Sequence, residues 1–122
     1  MPNIRSLLGR RGENLAAGHL RKNGYRILER NFNTRFGEID LVARDGETFV
    51  FIEVKTRRSL RCGSPGESIT RRKSLHWRKA AQIYLLRNNL ADVPVRFDFV
   101  GIDLSSGRPE ISIVRDCPVS LP

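Results

Sequence analysis

Cysteine is scarce, with only 2 in 122 residues, and Cys62 and Cys117 are far apart and at no metal-ligand spacing. That argues against a disulfide-stapled scaffold or a cysteine-built zinc site and reads as two free thiols, with a single disulfide left open. Long apolar runs are missing too. No stretch approaches the roughly 18 consecutive apolar residues of a membrane span, and MPNIRSLLGRR lacks the apolar core of a signal peptide. These absences point to a cytoplasmic chain with no membrane partner. There is no internal repeat and no low-complexity tract, and 122 residues fit one compact domain without room for a second. Acid is the minority charge: 13 Asp and Glu stand against 22 Lys and Arg, a formal charge of +9. On so small a domain that excess is the footprint expected for a polyanion partner, nucleic acid first. Charge that serves only solubility is the plainer reading, and a pI near 10.7 weighs against it.

Against that basic background the acids cluster. Gly37 to Lys55, GEIDLVARDGETFVFIEVK, contains two β-prone runs, Glu38 to Ala43 and Thr48 to Lys55, flanking Asp45-Gly46. Asp-Gly readily supplies the positive φ angles of a tight hairpin turn. With those two as turn residues, Arg44 pairs with Glu47, Asp40 lies opposite Phe51 and Glu38 opposite Glu53. Alternation then puts Glu38, Asp40, Glu53 and Lys55 on one face, and Ile39, Leu41, Ala43, Val50, Ile52 and Val54 on the other. Acids so close need compensating positive charge. Lys55 supplies some, and a divalent metal is the further source, because hard cations prefer carboxylate oxygens. A solvated hairpin face would also carry such charges. Phe49 and Phe51, on the same face as the acids, weigh against it.

In chain order, Met1 to Gly9 reads as a loose leader and Arg10 to Asn23 as a short amphipathic helix, ended by Gly24. Glu13 falls in the first turn of that helix, where a carboxylate complements the dipole. His19 reads as a helix-face residue. Tyr25 to Phe32 is a strand entering the hairpin, which makes a three-stranded meander; Glu29 and Asn31 have no assigned role. Thr56 to Glu67 is a Gly-, Ser- and Pro-containing loop whose Arg57, Arg58 and Arg61 stand just beyond the acids. A basic loop there suits a phosphate backbone drawn toward a metal, and an exposed linker is the bland alternative. A second helix runs from about Thr70 to Asn88, capped by Ser68 or Thr70, with Arg71, Arg72, Lys73, Arg78 and Lys79 making its first half basic. Trp77 and Tyr84 suit core positions better than base stacking. Val95 to Leu104 and Glu110 to Arg115 are strands. Asp98 and Asp103 fall on opposite faces of theirs, solvated or paired with arginines. The fold class is α/β, a central mixed sheet of about five strands in the order α-β-β-β-α-β-β.

An acid at Asp40 followed across a hairpin by Glu53-Val54-Lys55 resembles the signature of the PD-(D/E)XK, or restriction-endonuclease-like, nuclease superfamily. The surroundings narrow the likeness. Gly12-Glu13, Gly24-Tyr25, Ile27-Leu28, Arg30-Asn31, Gly37 to Ala43, Phe51 to Arg57, Lys73, Ala80-Ala81, Tyr84-Leu85 and Arg96-Phe97-Asp98 together resemble the YraN-like family of small bacterial proteins. The likeness runs from about Gly9 to Leu104. It implies a restriction-endonuclease-like core related to archaeal Holliday-junction resolvases. In those enzymes an acid on the first helix joins the strand acids and the lysine, which here would recruit Glu13, Asp40, Glu53 and Lys55. Ile39 stands where the signature has proline.

The implied function is metal-dependent cleavage of DNA, in preference to RNA, chosen by structure rather than sequence. Glu13, Asp40 and Glu53 would bind Mg²⁺ or Mn²⁺, Lys55 would act at the attacked phosphate, and Glu38 would ligate or support the ligands. Arg57, Arg58, Arg61, Arg71, Arg72, Lys73 and Arg78 would hold the flanking backbone. A symmetric homodimer would suit an enzyme that cuts two strands. The competing expectation is a nucleic-acid-binding module on the same fold without catalysis. A subunit that pairs through a hairpin edge is a third.

Overall fold

The first helix, α1 (Ile4–Lys22), is longer than its apolar spacing indicates and takes in most of the expected leader. The computed structural model describes residues 4–57 and 71–117, with residues 4–8 and 71–74 as backbone alone. Glu13 is therefore the tenth residue of α1 rather than part of its first turn. Dipole complementarity, confined to the terminal turn, no longer explains it. Helix α1 closes at Gly24, whose φ is +89°.

Strands β1 (Arg26–Thr34), β2 (Gly37–Asp45) and β3 (Thr48–Arg57) form the expected antiparallel meander. The chain then passes through α2 (Arg71–Arg87) and returns in β4 (Val95–Asp103), parallel to β3, before β5 (Glu110–Val114) pairs antiparallel at the edge. The five-stranded sheet has the order β1-β2-β3-β4-β5. This mixed sheet with its two helices is an α/β nuclease-like core. The helices cover opposite faces. Ala16 and Leu20 of α1 pack on Leu41, Ala43, Val50, Ile52, Val100 and Ile102. Trp77, Ala80, Ala81 and Tyr84 of α2 pack on Phe32, Ile39, Val42 and Phe51. Trp77 and Tyr84 are core residues, and Tyr84 meets both Phe32 and Phe51 edge-on.

The hairpin register differs from the expected one. Asp45 pairs with Thr48, so Gly46 and Glu47 are the turn residues. A type I′ turn on Asp45-Gly46 would require positive φ at both, but Gly46 (+62°) has it and Asp45 does not. The preference is that of a II′ turn, with glycine at the first central position. The register moves by two residues, an even number, so the strand faces survive. Opposition changes instead: the last pair is Leu41 with Ile52, and the next residues outward are Asp40 and Glu53, not Asp40 and Phe51.

Ile39 departs from its expected face. It joins the α2-side cluster although Leu41 belongs to the α1 side. Its partner on β1 behaves alike, since Phe32 faces α2 while Arg30, opposite Leu41, donates to Asn14 of α1. Both strands exchange faces across Asn31 and Asp40, and Asn31 takes a left-handed φ of +54° to do so. Such a reversal in two paired strands violates simple alternation, and the site is built around it.

On the α1 side of the sheet lies a buried polar network. Asp98, fully buried, accepts from Tyr25 Oη (2.7 Å), from Arg96 Nε and Nη2 (2.9 Å each) and from the Asp116 amide (2.9 Å). Arg96 also pairs with Asp45 at 2.9 Å, and Arg115 donates to Tyr25. Burial and the Asp98 hydrogen bond raise the Tyr25 pKa, keeping its hydroxyl a donor. Asp98 is paired with arginine, as expected. Cys117 is a free, buried thiol, and Cys62 lies outside the described residues. Asp98→Ala should lower unfolding free energy by about 2–4 kcal/mol, because it strands several buried donors. The exposed Glu47→Ala should change it by less than about 0.5 kcal/mol, as urea denaturation would measure.

Candidate functional site

The carboxylate of Asp40 completes what the backbone leaves unfinished. Where β2 stops pairing with β3, Oδ2 of Asp40 accepts the Val54 amide proton at 2.8 Å, taking a rung of the ladder that a carbonyl would otherwise fill. The side chain is thereby held between β2 and β3 where their ladder ends. Glu53 adjoins it on β3. Glu38, Asp40 and Glu53 line one cleft of about 210 Å³ together with Gly37, His76 and Trp77.

Glu13 reaches the same place from α1 because Gly12 lets the helix approach β3 closely. A Cβ at Gly12 would collide with the Thr56 side chain. Asn31 then ties the acids together. With its amide nitrogen toward the carboxylates, it donates to Glu13 Oε1 at 2.7 Å and to Glu38 Oε1 at 2.9 Å. The left-handed backbone of Asn31 aims that amide, and asparagine tolerates the conformation better than most residues.

Acids so placed disfavour the ionisation of Asp40 and Glu38. Asp40 is pushed up to about 8, first by burial, then by the charge of Glu53 and, more weakly, of Glu13 and Glu38; the Val54 amide opposes the shift. Glu38 is raised as well, by burial and by Glu13 and Glu53. A cation entering the cleft would displace the Asp40 proton and relieve this repulsion. The donor set, all carboxylate oxygen, suits Mg²⁺ or Mn²⁺. Among the described residues no three His, Cys, Asp or Glu side chains already stand in a coordinating group. Closing them around an ion therefore requires rotamer changes.

The model of the uncharacterised protein family UPF0102 matches residues 12–102, from the glycine that admits α1 to the end of β4. The chain belongs to UPF0102. Its similarity to curated members, the YraN-like proteins, extends over most of each chain. It is 50% identical to a UPF0102 protein of Syntrophomonas wolfei over 86% of this chain and 91% of that one. It is 44% identical to one of Dehalococcoides mccartyi, covering 88% and 89%, and 49% identical to one of Geobacter sulfurreducens, covering 90% and 87%. No helix among the described residues is long and apolar enough to cross a membrane.

In this UPF0102 chain, then, Glu38, Asp40 and Glu53 come together in the cleft, and Glu13 joins them through Asn31. Lys55 lies two residues beyond Glu53 on β3, outside the cleft lining. Arg57 ends β3, with its Nε buried and unpartnered among the described residues, and Arg78 on α2 has a similarly unpartnered Nη1. Arg71, Arg72 and Lys73 fall in the first turn of α2, their side chains outside the described set, and Arg58 and Arg61 lie outside the described residues. The Ser68 or Thr70 cap lies outside them too.

Three site residues escaped the sequence. Asn31 was the signal most within reach, as an asparagine in a strand directly opposite a motif acid. His76 and Trp77 line the cleft through the docking of α2, which no local pattern encodes; the Trp77 indole N–H is buried and unpartnered among the described residues.

The folded chain keeps the Asp40 proton to about pH 8, whereas an unfolded one releases it near pH 4. The native state thus binds more protons across that window, and stability falls as pH rises through it. Asp40→Asn removes this titration. Thermal melts should show the variant several degrees more stable than wild type at pH 8, with the two curves converging below about pH 4.

Proposed function

We propose that this UPF0102 protein is a metal-dependent endonuclease that hydrolyses phosphodiester bonds in DNA, selecting branched or junction structures. The observation that carries this reading is the cleft in which Glu38, Asp40 and Glu53 converge, with the Asp40 carboxylate fixed there by the Val54 amide. Structural carboxylates on a sheet are commonly paired with arginine, as Asp98 is. Asp40 instead faces other acids.

Asp40 and Glu53 would hold Mg²⁺ or Mn²⁺, with Glu13 and Glu38 as further oxygen donors or supports. The chemistry such an ion supplies when bound is polarisation of the phosphodiester and a lowered pKa for the attacking water. Lys55 places positive charge at the attacked phosphate and orients that water. The Val54 amide keeps Asp40 from turning away, and Asn31 keeps Glu13 and Glu38 at the cleft. Arg57, Arg58, Arg61, Arg71, Arg72, Lys73 and Arg78 hold the flanking backbone without reading bases, so recognition follows shape. Two copies of the chain would cut the two strands of a junction in a cytoplasmic setting.

A second reading is a nucleic-acid-binding module without catalysis. The hydrogen bonds of Asn31 favour it, since they satisfy oxygens of Glu13 and Glu38 with a neutral donor. Calorimetric titration with Mg²⁺ and then Mn²⁺ separates the two. Wild type should bind the ion and Asp40→Asn should not. Asp40→Asn and Glu53→Gln should abolish cleavage of flapped and four-way DNA while retaining DNA affinity. Parallel disappearance of cleavage and affinity would overturn these roles, and ion-independent binding without cleavage by wild type would favour the module.

A further inference from the structure

Beside the acidic cleft, two cations are gathered on a single aromatic ring. The Arg35 guanidinium carbon lies 4.9 Å from the centre of the Phe36 ring, and Lys79 Nζ lies 5.0 Å from the same centre. Arg35 and Phe36 belong to the turn between β1 and β2, and Lys79 to α2, so the ring draws together charges from two separate elements. Cation–π attraction at an exposed site is weak. It does little to repay the repulsion between two like charges. Neither cation has a carboxylate or hydrogen-bond partner among the described residues, and both side chains are exposed. Arg30, Arg96 and Arg115 differ in being spent on Asn14, on Asp98 and Asp45, and on Tyr25, and Arg44 and Arg87 differ in lying singly over their rings, Phe49 and Phe32.

The position is set from both sides. Gly37, next to Phe36, lines the cleft, and so does His76, one helical turn before Lys79. A Cβ built on Gly37 would lie 3.5 Å from the His76 Cβ, so the turn and the helix adjoin there. The pair of cations therefore stands at the mouth of the carboxylate cleft. An acidic cleft repels a polyanion, and positive charge at its rim lets a phosphate approach it.

We infer that Arg35 and Lys79, assembled on Phe36, form a clamp for the DNA phosphate backbone beside the phosphodiester presented to the cleft. This inference rests on the nuclease reading for its ligand and adds residues from the β1–β2 turn that the basic loop and first turn of α2 do not include. Two phosphate contacts contribute to binding through counterion release, and each is worth about 0.7–0.9 in the slope of log K against log salt.

The test is binding of a fluorescein-labelled DNA duplex carrying a single-stranded flap, in EDTA, across about 50 to 200 mM salt. The double variant Arg35→Gln, Lys79→Gln should bind several-fold more weakly than wild type, with a salt slope shallower by about 1.4–1.8. Arg21→Gln, Lys22→Gln removes the same charge from exposed residues at the far end of α1 and serves as the control. Its slope should stay near that of wild type. Equal slopes for wild type and the Arg35, Lys79 variant overturn the clamp, as does an equal change in the control. A fall in melting temperature without a change in slope would mean that the ring only staples the turn to α2, and also overturns it. Because no metal is present, the result is independent of cleavage. A clamp-dependent slope in a protein that never cuts DNA with Mg²⁺ or Mn²⁺ would retain the clamp and discard the endonuclease. Absence of DNA binding by wild type would discard both.

Discussion

One hydrogen bond holds the site together, that from the Val54 amide to the Asp40 carboxylate. It lies where β2 and β3 cease to pair, so it takes the place of the backbone pairing that ends there and fixes an acid at the sheet edge. The neighbouring acids are then brought to Asp40 by ordinary architecture. Glu53 follows from the hairpin register, Glu38 from the reversal of strand faces, and Glu13 from the close approach at Gly12. Burial and like charge together raise the Asp40 pKa against the pull of that hydrogen bond.

The sheet treats its two buried strand aspartates in opposite ways. Asp98 is surrounded by Tyr25, Arg96 and the Asp116 amide, and it serves to join the α1–β1 connection, β4 and the segment after β5. Asp40 has one amide and three acidic neighbours. Stability is concentrated around Asp98 and electrostatic tension around Asp40. The contrast is what separates a structural carboxylate from a candidate ligand, since both lie in strands with similar sequence surroundings.

Around the cleft, charge is arranged in layers. Carboxylates line the interior, and cations held by an aromatic ring stand at its mouth. A chain of formal charge +9 can therefore keep a local negative pocket. Membership of UPF0102 is consistent with the likeness visible in the Asp40 and Glu53-Val54-Lys55 pattern, and it carries no activity with it.

The amino-acid order by itself determined the elements, their sequence along the chain and most of the sheet faces, because side-chain periodicity and burial are local properties. Leu41, Ala43, Val50 and Ile52 fall on the α1 side as alternation requires. It also indicated that Asp40 and Glu53 would meet, since a register shift of two residues preserves faces, whereas Glu38 shares their cleft by way of the reversal. Only tertiary structure decided the length and placement of α1, and with them the reason for Glu13. It also decided the paired reversal at Asn31 and Asp40, the arrival of His76 and Trp77 through the docking of α2, and the meeting of Arg35 with Lys79 on Phe36. Each depends on residues distant in sequence coming into contact, and no single-chain pattern of period two or 3.6 contains that information.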